Sequence, residues 1–227
     1  MYAIIIAGGK GERLRPLTED RPKHMVLLNG KPIIEYQIEW LKENGVTDIV
    51  LAVGHLHNVI EAYVEDGGRW GVRVAYSVEK EPLGRGGALK QAYAQVPVAE
   101  PIVIATNGDN VNTQELAPLL RQHKRTGAIG TLLLTQLRSP YGIVQQRGKV
   151  ITGFREKPLL PHWLSAGVYV LNREFFHKLP DKGDHEDVLF PQLAAEGRLY
   201  GFRSHAYWKA IDTMKDLTEA AEQLAAR

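Results

Sequence analysis

The sequence predicts an α/β fold, in which one doubly wound, mixed but mostly parallel sheet is flanked by helices and accompanied by a small β-hairpin lobe. Four short apolar runs support this prediction, at residues 2–7, 49–54, 72–78 and 101–105. They are too short for ordinary helices and carry β-branched residues, which is typical of strands buried on both faces. Segments with helical periodicity separate the runs, and strands that alternate with helices form parallel sheets.

Helical segments follow the strands at regular intervals. Apolar residues recur at intervals of three and four over residues 33–44, and Gly45 ends this helix. Thr113 is predicted to cap the helix after the fourth strand, and His123 is predicted to lie on the surface of that helix. The other predicted helices span residues 58–64, 88–95, 185–196 and 213–227, the last with Met214, Leu217, Ala221 and Leu224 facing inward.

The hydrophobic pattern changes after a strand at residues 128–137. Two short runs on either side of Gly148 predict a hairpin, hence a mixed sheet or a small lid beside the main sheet. Further strands are predicted at residues 164–171 and 198–204. We treat the chain as one domain, with a nucleotide-binding half over about residues 1–112 and a sugar-phosphate half over about residues 113–227. No hexapeptide repeat follows, so a C-terminal β-helix is not expected.

Composition narrows the class of protein. The chain has 227 residues and a formal net charge of +2, with acidic and basic residues interspersed. Interspersed charges argue against a nucleic-acid-binding surface. The absence of cysteine excludes disulfides and thiol chemistry. No apolar run reaches the roughly 18 residues that a membrane helix needs, so we expect a soluble, cytoplasmic protein with no membrane partner.

A glycine-rich turn follows the first strand and is the centre of the predicted site. Gly8, Gly9 and Gly11 lack Cβ atoms, so backbone N–H groups can closely approach a bound phosphate. Four cations follow within reach: Lys10, Arg13, Arg15 and Lys23. The turn matches neither the dinucleotide fingerprint nor the P-loop. A Rossmann-type oxidoreductase is therefore a remote alternative.

The motifs around this turn resemble those of the sugar-1-phosphate nucleotidylyltransferases. The resemblance rests on residues 8–14 (GGKGERL), 16–18 (PLT), 21–23 (RPK) and 30–32 (GKP). It implies condensation of a sugar 1-phosphate with a nucleoside triphosphate, giving an NDP-sugar and pyrophosphate, with Mg²⁺ as cofactor. The nucleophile is a phosphate oxygen that is already anionic, so no general base is needed.

The resemblance also implies roles for particular residues. Arg13 and Lys23 are the candidate catalytic cations, Arg13 at the β,γ-phosphates and Lys23 at the α-phosphate. Asp109, which follows the fourth strand, is a candidate Mg²⁺ ligand. The candidate nucleotide-binding residues are Ala7, Gly8, Gly9, Gly11, Glu79, Pro82, Gly84 and Asn107. The candidate sugar-phosphate residues are Tyr141, Gly142, Glu156, Lys157, Ala166 and Gly167.

Four positions depart from the family pattern. His24 replaces a second proline, Arg85 replaces a small residue of the base-binding loop in a way that bears on base or ribose contacts, and Ser165 replaces asparagine. The fourth departure is Ala210, which stands where many members carry their second metal-binding aspartate. Residues 208–216 (WKAIDTMKD) resemble the ending of the glucose-1-phosphate cytidylyltransferases, and this likeness makes Asp212 the candidate second ligand.

The sequence leaves the base and the sugar open. Glu79 accepts hydrogen bonds only, which suits guanine or the amino group of cytosine, so GTP and CTP are favoured over TTP and UTP. A guanylyltransferase for a mannose-type phosphate and a cytidylyltransferase for glucose 1-phosphate both remain open. The alternative of another class is a catalytically inactive, sugar-nucleotide-binding regulatory subunit. A homo-oligomer is compatible with the sequence.

Overall fold

The computed structural model describes residues 1–226. The strands are β1 (Tyr2–Ala7), β2 (Leu27–Leu28), β3 (Lys31–Pro32), β4 (Asp48–Val53), β5 (Arg73–Val78), β6 (Ile102–Asn107), β7 (Asn110–Asn112), β8 (Gly130–Arg138), β9 (Ile143–Arg147), β10 (Val150–Arg155), β11 (Leu159–Asn172), β12 (Leu199–Arg203) and β13 (Trp208–Ala210). The α-helices are α1 (Ile33–Glu43), α2 (His57–Val64), α3 (Gly84–Tyr93), α4 (Leu116–Thr126), α5 (Arg173–His177), α6 (Leu189–Ala195) and α7 (Met214–Ala225).

The centre of the molecule is a seven-stranded sheet with the order β12-β8-β11-β6-β1-β4-β5. β1 pairs in parallel with β4 and β6, β4 pairs in parallel with β5, and β12 pairs in parallel with β8. β11 is antiparallel to both of its neighbours, so it alone runs against the other strands of this sheet. The predicted mixed, mostly parallel sheet is confirmed.

Both faces of the sheet are covered by helices. Ala3, Ile5 and Ala7 of β1 pack in the core beneath α1, α2 and α4. Ile4 lies on the opposite face, in the core beneath α3, α5 and α6. Side chains of a strand point alternately to the two faces, and full burial of each Ile contributes roughly 1.5–3 kcal/mol. The apolar run of β1 is therefore explained by burial on both faces.

A third, smaller core holds the C-terminal segment against the N-terminal loops. Leu14, Val26 and Ile33 pack there with Ile211 and Ala220. β13 pairs antiparallel with β7, and the Ile211 backbone N–H donates a 2.9 Å hydrogen bond to the Asp109 carbonyl oxygen. The two ends of the chain are thereby brought to the same edge of the fold.

The end of this segment is fixed by a capping box at the start of α7. The Thr213 side chain accepts a hydrogen bond from the Asp216 backbone N–H, and the Asp216 side chain accepts one from the Thr213 backbone N–H. Such a reciprocal pair satisfies two backbone donors at a helix N-terminus. Asp212, one residue before the cap, is held in place as a result.

The predicted hairpin is confirmed as a separate two-stranded sheet of β9 and β10. Helix α3, in contrast, begins at Gly84 and not near residue 88. Gly84, Gly86 and Gly87 therefore lie in its first turn, where Cβ atoms would come within 3 Å of the backbone of residues 181–183. These glycines read as a loop in the sequence, but they serve the close packing of a helix N-terminus.

Other predictions are corrected by tertiary contacts. The N-cap of α4 is Glu115 and not Thr113. His123 is buried, and its Nδ1 lies 2.9 Å from the Thr131 hydroxyl oxygen, so it is a core residue and not a surface one. Met214 is exposed, and Ala220 is the buried residue of α7. The predicted helix over residues 185–196 is shorter and begins at Leu189, and the structure adds α5, which the sequence reasoning missed.

No helix among residues 1–226 is both long enough and apolar enough to cross a lipid bilayer.

Candidate active site

A cleft of about 550 Å³ opens at the carboxyl ends of β1 and β6. Parallel strands present their carboxyl ends at one edge of the sheet, where ligands of doubly wound folds bind. The cleft is lined by Ile6, Gly8, Gly9, Lys10, Gly11, Glu12, Arg13, Lys23, His24, Arg85, Asn107, Asp109 and Asp212. Most of the predicted phosphate-side residues thus share one cavity.

Lys23 lies at the centre of the charged groups in this cleft. Its Nζ atom is 2.7 Å from Asp109 Oδ2 and 2.7 Å from Asp212 Oδ1. Arg13 Nη2 lies 2.8 Å from the same Asp212 oxygen. The Lys23 side chain is only 9% exposed, whereas that of Arg13 is 70% exposed. One cation is therefore fixed inside the site, and the other is free to reach into solvent.

At two of the three glycines of the turn, a larger residue would clash with a neighbouring side chain. A Cβ on Gly11, whose φ is +67°, would lie 2.7 Å from the Cβ of Lys23. A Cβ on Gly8 would lie 2.7 Å from Oε1 of Glu79. Only Gly9 faces open space, with no atom within 4 Å of the position of a Cβ. Gly8 and Gly11 thus let two predicted site residues close around the turn, and Gly9 leaves its backbone accessible.

The donor set of the two aspartates suits a divalent cation. Asp109 and Asp212 direct oxygens to a common point, because a single ammonium group contacts both. Mg²⁺ is usually bound by one or two carboxylates together with substrate phosphates and water. Ala210 pairs with Asn110, and its methyl side chain has no ligand atom to add to this set. No cluster of three or more His, Asp or Glu residues suited to a metal occurs in the part of the chain that the structure describes.

His24 is a buried wall of the cleft that sequence reasoning did not assign. Burial lowers the pKa of His24 to about 4, although the Asp109 charge opposes the shift. The imidazole is therefore neutral near pH 7. Its ring lies against Gly108, where an added Cβ would come 2.8 Å from His24 Cδ2. The departure from proline at this position was the only sequence signal for it.

A second cavity of about 210 Å³ adjoins the cleft. It contains Glu79, Pro82 and Gly84, three of the residues predicted to bind the nucleotide. The Leu83 backbone N–H donates a 3.0 Å hydrogen bond to Glu79 Oε2. This contact fixes the carboxylate and leaves further lone pairs for a ligand. Ile6, Gly8, Gly9 and Arg85 line both this cavity and the cleft.

The predicted sugar-side residues fall into two groups outside the residues that line the cleft. Tyr141, Gly142, Glu156 and Lys157 lie at the base of the β9–β10 hairpin, where a Cβ on Gly142 would approach Glu156 Oε2 to 3.0 Å. Ala166 and Gly167 lie in β11 beside the cleft.

The β11 group is packed tightly against the end of β6. A Cβ on Gly167, whose φ is +66°, would lie 2.6 Å from Nδ2 of Asn107. The Trp208 indole N–H donates a 2.8 Å hydrogen bond to the Ala166 carbonyl oxygen. The side-chain oxygen of Asn107 is buried and makes no hydrogen bond to the described residues. An unpaired buried acceptor is costly, so this atom is suited to a donor from a ligand.

Comparison with known proteins identifies the family. The family model described as "Nucleotidyl transferase" matches residues 2–227. A D-glycero-alpha-D-manno-heptose 1-phosphate guanylyltransferase of Aneurinibacillus thermoaerophilus is 33% identical over 99% of this chain and 98% of its own length. A mannose-1-phosphate guanyltransferase of Yarrowia lipolytica is 36% identical over 95% of this chain. The alignment covers only 62% of the Yarrowia protein's length.

A solved structure supports the fold. The structure described as a putative glucose-1-phosphate thymidylyltransferase of Bacillus anthracis superposes with a TM-score of 0.80, over 98% of this chain and 95% of its own, at 22% identity. Sequence, fold and cleft agree: the chain belongs to the nucleotidyl transferase family, as a sugar-1-phosphate nucleotidylyltransferase, which joins a sugar 1-phosphate to a nucleoside triphosphate and releases pyrophosphate.

Proposed function

We propose that this enzyme transfers a guanylyl group from GTP to a sugar 1-phosphate of the manno series, with Mg²⁺ held by Asp109 and Asp212. The proposal rests on one observation: within a single cleft, Lys23 lies 2.7 Å from both aspartates, and Arg13 lies 2.8 Å from Asp212. The guanylyl and manno assignments draw on the relatives that act on heptose and mannose 1-phosphates.

Two polyanions must meet for the reaction to occur. Two unit charges 4 Å apart repel each other by about 4 kcal/mol at an effective dielectric constant of 20. Lys23, fixed in the cleft, offers a positive charge to the α-phosphate, and Arg13 does so for the β,γ-phosphates and the leaving pyrophosphate. Catalysis then comes from positioning and charge stabilisation, without a general base.

Mg²⁺ would supply further positive charge and an oxygen-binding template when bound. Asp109 and Asp212 are the side chains that would hold it, because both carboxylates already converge on one cation. Lys23 contacts both aspartates and therefore orients the two ligands. Its ammonium has three N–H donors, so one remains for a phosphate oxygen.

The sugar-phosphate side of the proposal uses the second half of the chain. Lys157 would hold the phosphate of the incoming sugar, and Glu156 would accept hydrogen bonds from sugar hydroxyls. Tyr141 and Gly142 lie beside them at the hairpin, and Ala166 and Gly167 would provide backbone contacts. We assign the nucleotide to about residues 1–112 and the sugar phosphate to about residues 113–227.

Glu79 favours guanine among the four bases. A carboxylate accepts hydrogen bonds, and guanine presents the ring N1–H and the amino group side by side. Cytosine offers only its amino group in this way, and the ring N–H is the one such donor of uracil and thymine. CTP is thus the second choice, and UTP and TTP follow.

A substrate matrix tests the proposal. Four nucleoside triphosphates are combined with mannose, glucose and heptose 1-phosphates, and pyrophosphate release is measured with and without Mg²⁺. We expect GTP with a manno-configured phosphate to be the fastest pair and to require Mg²⁺. A faster reaction with CTP and glucose 1-phosphate would overturn the substrate assignment.

Glu79→Gln tests the base assignment. The amide loses acceptor capacity, so kcat/KM for GTP should fall about 10- to 100-fold, the worth of one bidentate base contact. The matched control is Glu81→Gln, because Glu81 is 71% exposed and pairs with the surface residue Lys182 at 3.4 Å. Equal rates for the two variants would contradict a base-reading role for Glu79.

A further inference from the structure

Arg85 is the charged side chain that lines both the cleft around Lys23 and the adjoining cavity that contains Glu79. It lies in the first turn of α3, next to Gly84. If the base contacts Glu79 and the phosphates contact Lys23, the ribose lies between them, where the two cavities share their lining. The role of Arg85 at the ribose therefore rests on the proposed nucleotide-binding function.

The guanidinium of Arg85 is held rigidly by two acidic residues. Its Nε and Nη2 atoms each lie 2.6 Å from Asp184 Oδ2, and its Nη1 atom lies 2.5 Å from Glu186 Oε2. The buried Tyr169 hydroxyl donates a 2.5 Å hydrogen bond to the other oxygen of Glu186. The Glu186 backbone N–H donates to Asp184 Oδ1 at 3.2 Å. Both carboxylates are thus anchored, and they fix the orientation of the arginine.

The charge of this cluster argues against a phosphate contact. One guanidinium with two carboxylates carries a formal charge of −1, which repels phosphate. A guanidinium has five N–H donors, and three contacts to the carboxylates leave two for a neutral acceptor. The hydroxyl oxygens of a ribose are acceptors of this kind.

We propose that Arg85 binds the ribose hydroxyls of the nucleotide and makes the enzyme prefer ribonucleoside to deoxyribonucleoside triphosphates. Asp184 and Glu186 are positioning residues, because they act through the arginine. Lysine is not equivalent at this position, since its compact ammonium lacks the planar fork that two carboxylates hold in place.

The test measures kcat/KM with GTP, 2′-deoxy-GTP and 3′-deoxy-GTP. We expect the wild type to prefer GTP about 10-fold or more over at least one analogue, the value of one hydrogen bond to a charged donor. In Arg85→Ala that ratio should fall to about 1, because the rate with GTP drops while the rate with the analogue is retained.

Lys90→Ala is the matched control. Lys90 is also on α3, and it pairs with Asp181 at 2.7 Å on the same neighbouring segment, but it does not line either cavity. This variant removes one ion pair between the same helix and the same neighbouring segment, and it should keep the wild-type ratio. An unchanged ratio in Arg85→Ala, or an equal loss with all three nucleotides, would overturn the inference in favour of a structural or phosphate-binding role.

A second variant and a binding measurement cover two other outcomes. If circular dichroism shows that Arg85→Ala does not fold, Arg85→Lys is tested in its place. The ratio of kcat/KM for GTP to that for the analogue should again fall to about 1. Should no pair of substrates release pyrophosphate, the proposed function fails separately. Calorimetric binding of GTP and its deoxy analogues then decides the inference, since Arg85→Ala must still abolish the difference in affinity.

Discussion

Replacing Asp212 by asparagine removes one charge from the cleft while keeping the shape of the side chain. In the structure, Asp212 Oδ1 accepts from Lys23 at 2.7 Å and from Arg13 at 2.8 Å. Arg13 is 70% exposed, so its ion pair contributes at most about 1 kcal/mol to stability. Lys23 keeps its contact with Asp109. We therefore expect Asp212→Asn to lower the free energy of unfolding by only ~1–2 kcal/mol.

The effect on activity should be much larger. Loss of one preorganised electrostatic contact costs about 10²- to 10³-fold in rate, which corresponds to roughly 3–4 kcal/mol in the activation barrier. If Asp212 is a Mg²⁺ ligand, the variant should also need more Mg²⁺ for half-maximal rate. Pyrophosphate release is measured across a Mg²⁺ titration, with urea unfolding of the same preparations to separate stability from activity.

Asp20→Asn is the control for this experiment. Asp20 is 72% exposed and pairs with Arg21 at 2.8 Å outside the residues that line the cleft, so its rate should stay within about twofold of the wild type. A rate and a Mg²⁺ requirement close to those of the wild type in Asp212→Asn would refute the assignment of the second ligand. Asp109→Asn, tested in parallel, should show the same loss.

Two further predictions concern stability. His185 lies in the aromatic core beside Phe190, and burial lowers its pKa to about 4. The stabilisation that depends on neutral His185 is complete above the unfolded pKa of about 6.5, and ~3 kcal/mol of it is lost as the pH falls towards 4. His185→Phe should therefore reduce the difference in free energy of unfolding between pH 7 and pH 4.5, measured with urea. An unaltered difference would contradict this role of His185. Gly84→Ala places a Cβ 2.7 Å from the Gly183 carbonyl oxygen at a φ of +73°, so it should destabilise the fold by clearly more than the ~1–2 kcal/mol of a positive φ alone. Gly148→Ala is the control, because Gly148 has a φ of +60° and open space around it, so thermal unfolding of this variant measures the backbone cost by itself. Equal losses of stability in the two variants would exclude the packing effect.

Much of the fold could be predicted because the signals are local. β1 was predicted with its observed bounds, since an uninterrupted apolar run has one simple explanation, burial on both faces. Helix α1 was predicted to within one residue at its C-terminal end. The predictions that failed depended on distant partners. Thr113 has the chemistry of a cap, but its backbone N–H donates to the Tyr207 carbonyl oxygen, and the helix starts later.

The first-loop residues of the candidate site could be predicted from the sequence, whereas the roles of His24 and Arg85 could not. The glycines and cations of the first loop lie within about fifteen residues of one another, so their spacing alone indicated that they share a site. His24 and Arg85 were noticed only as departures from a pattern. Their burial and their partners depend on contacts with residues remote in the sequence, such as Gly108 and Asp184.

The sequence by itself determined the class of fold, the family and the chemical character of the site, because periodicity, glycine placement and charge act over short stretches of chain. The tertiary structure decided how the two candidate carboxylates, Asp109 and Asp212, come together at Lys23. Asp212 and Asp109 are 103 residues apart in the chain, yet both contact the same ammonium group. They do so because β13 pairs with β7 and the Ile211 N–H donates to the Asp109 carbonyl oxygen. Such pairing depends on strand register and core packing between distant segments, which no local pattern specifies.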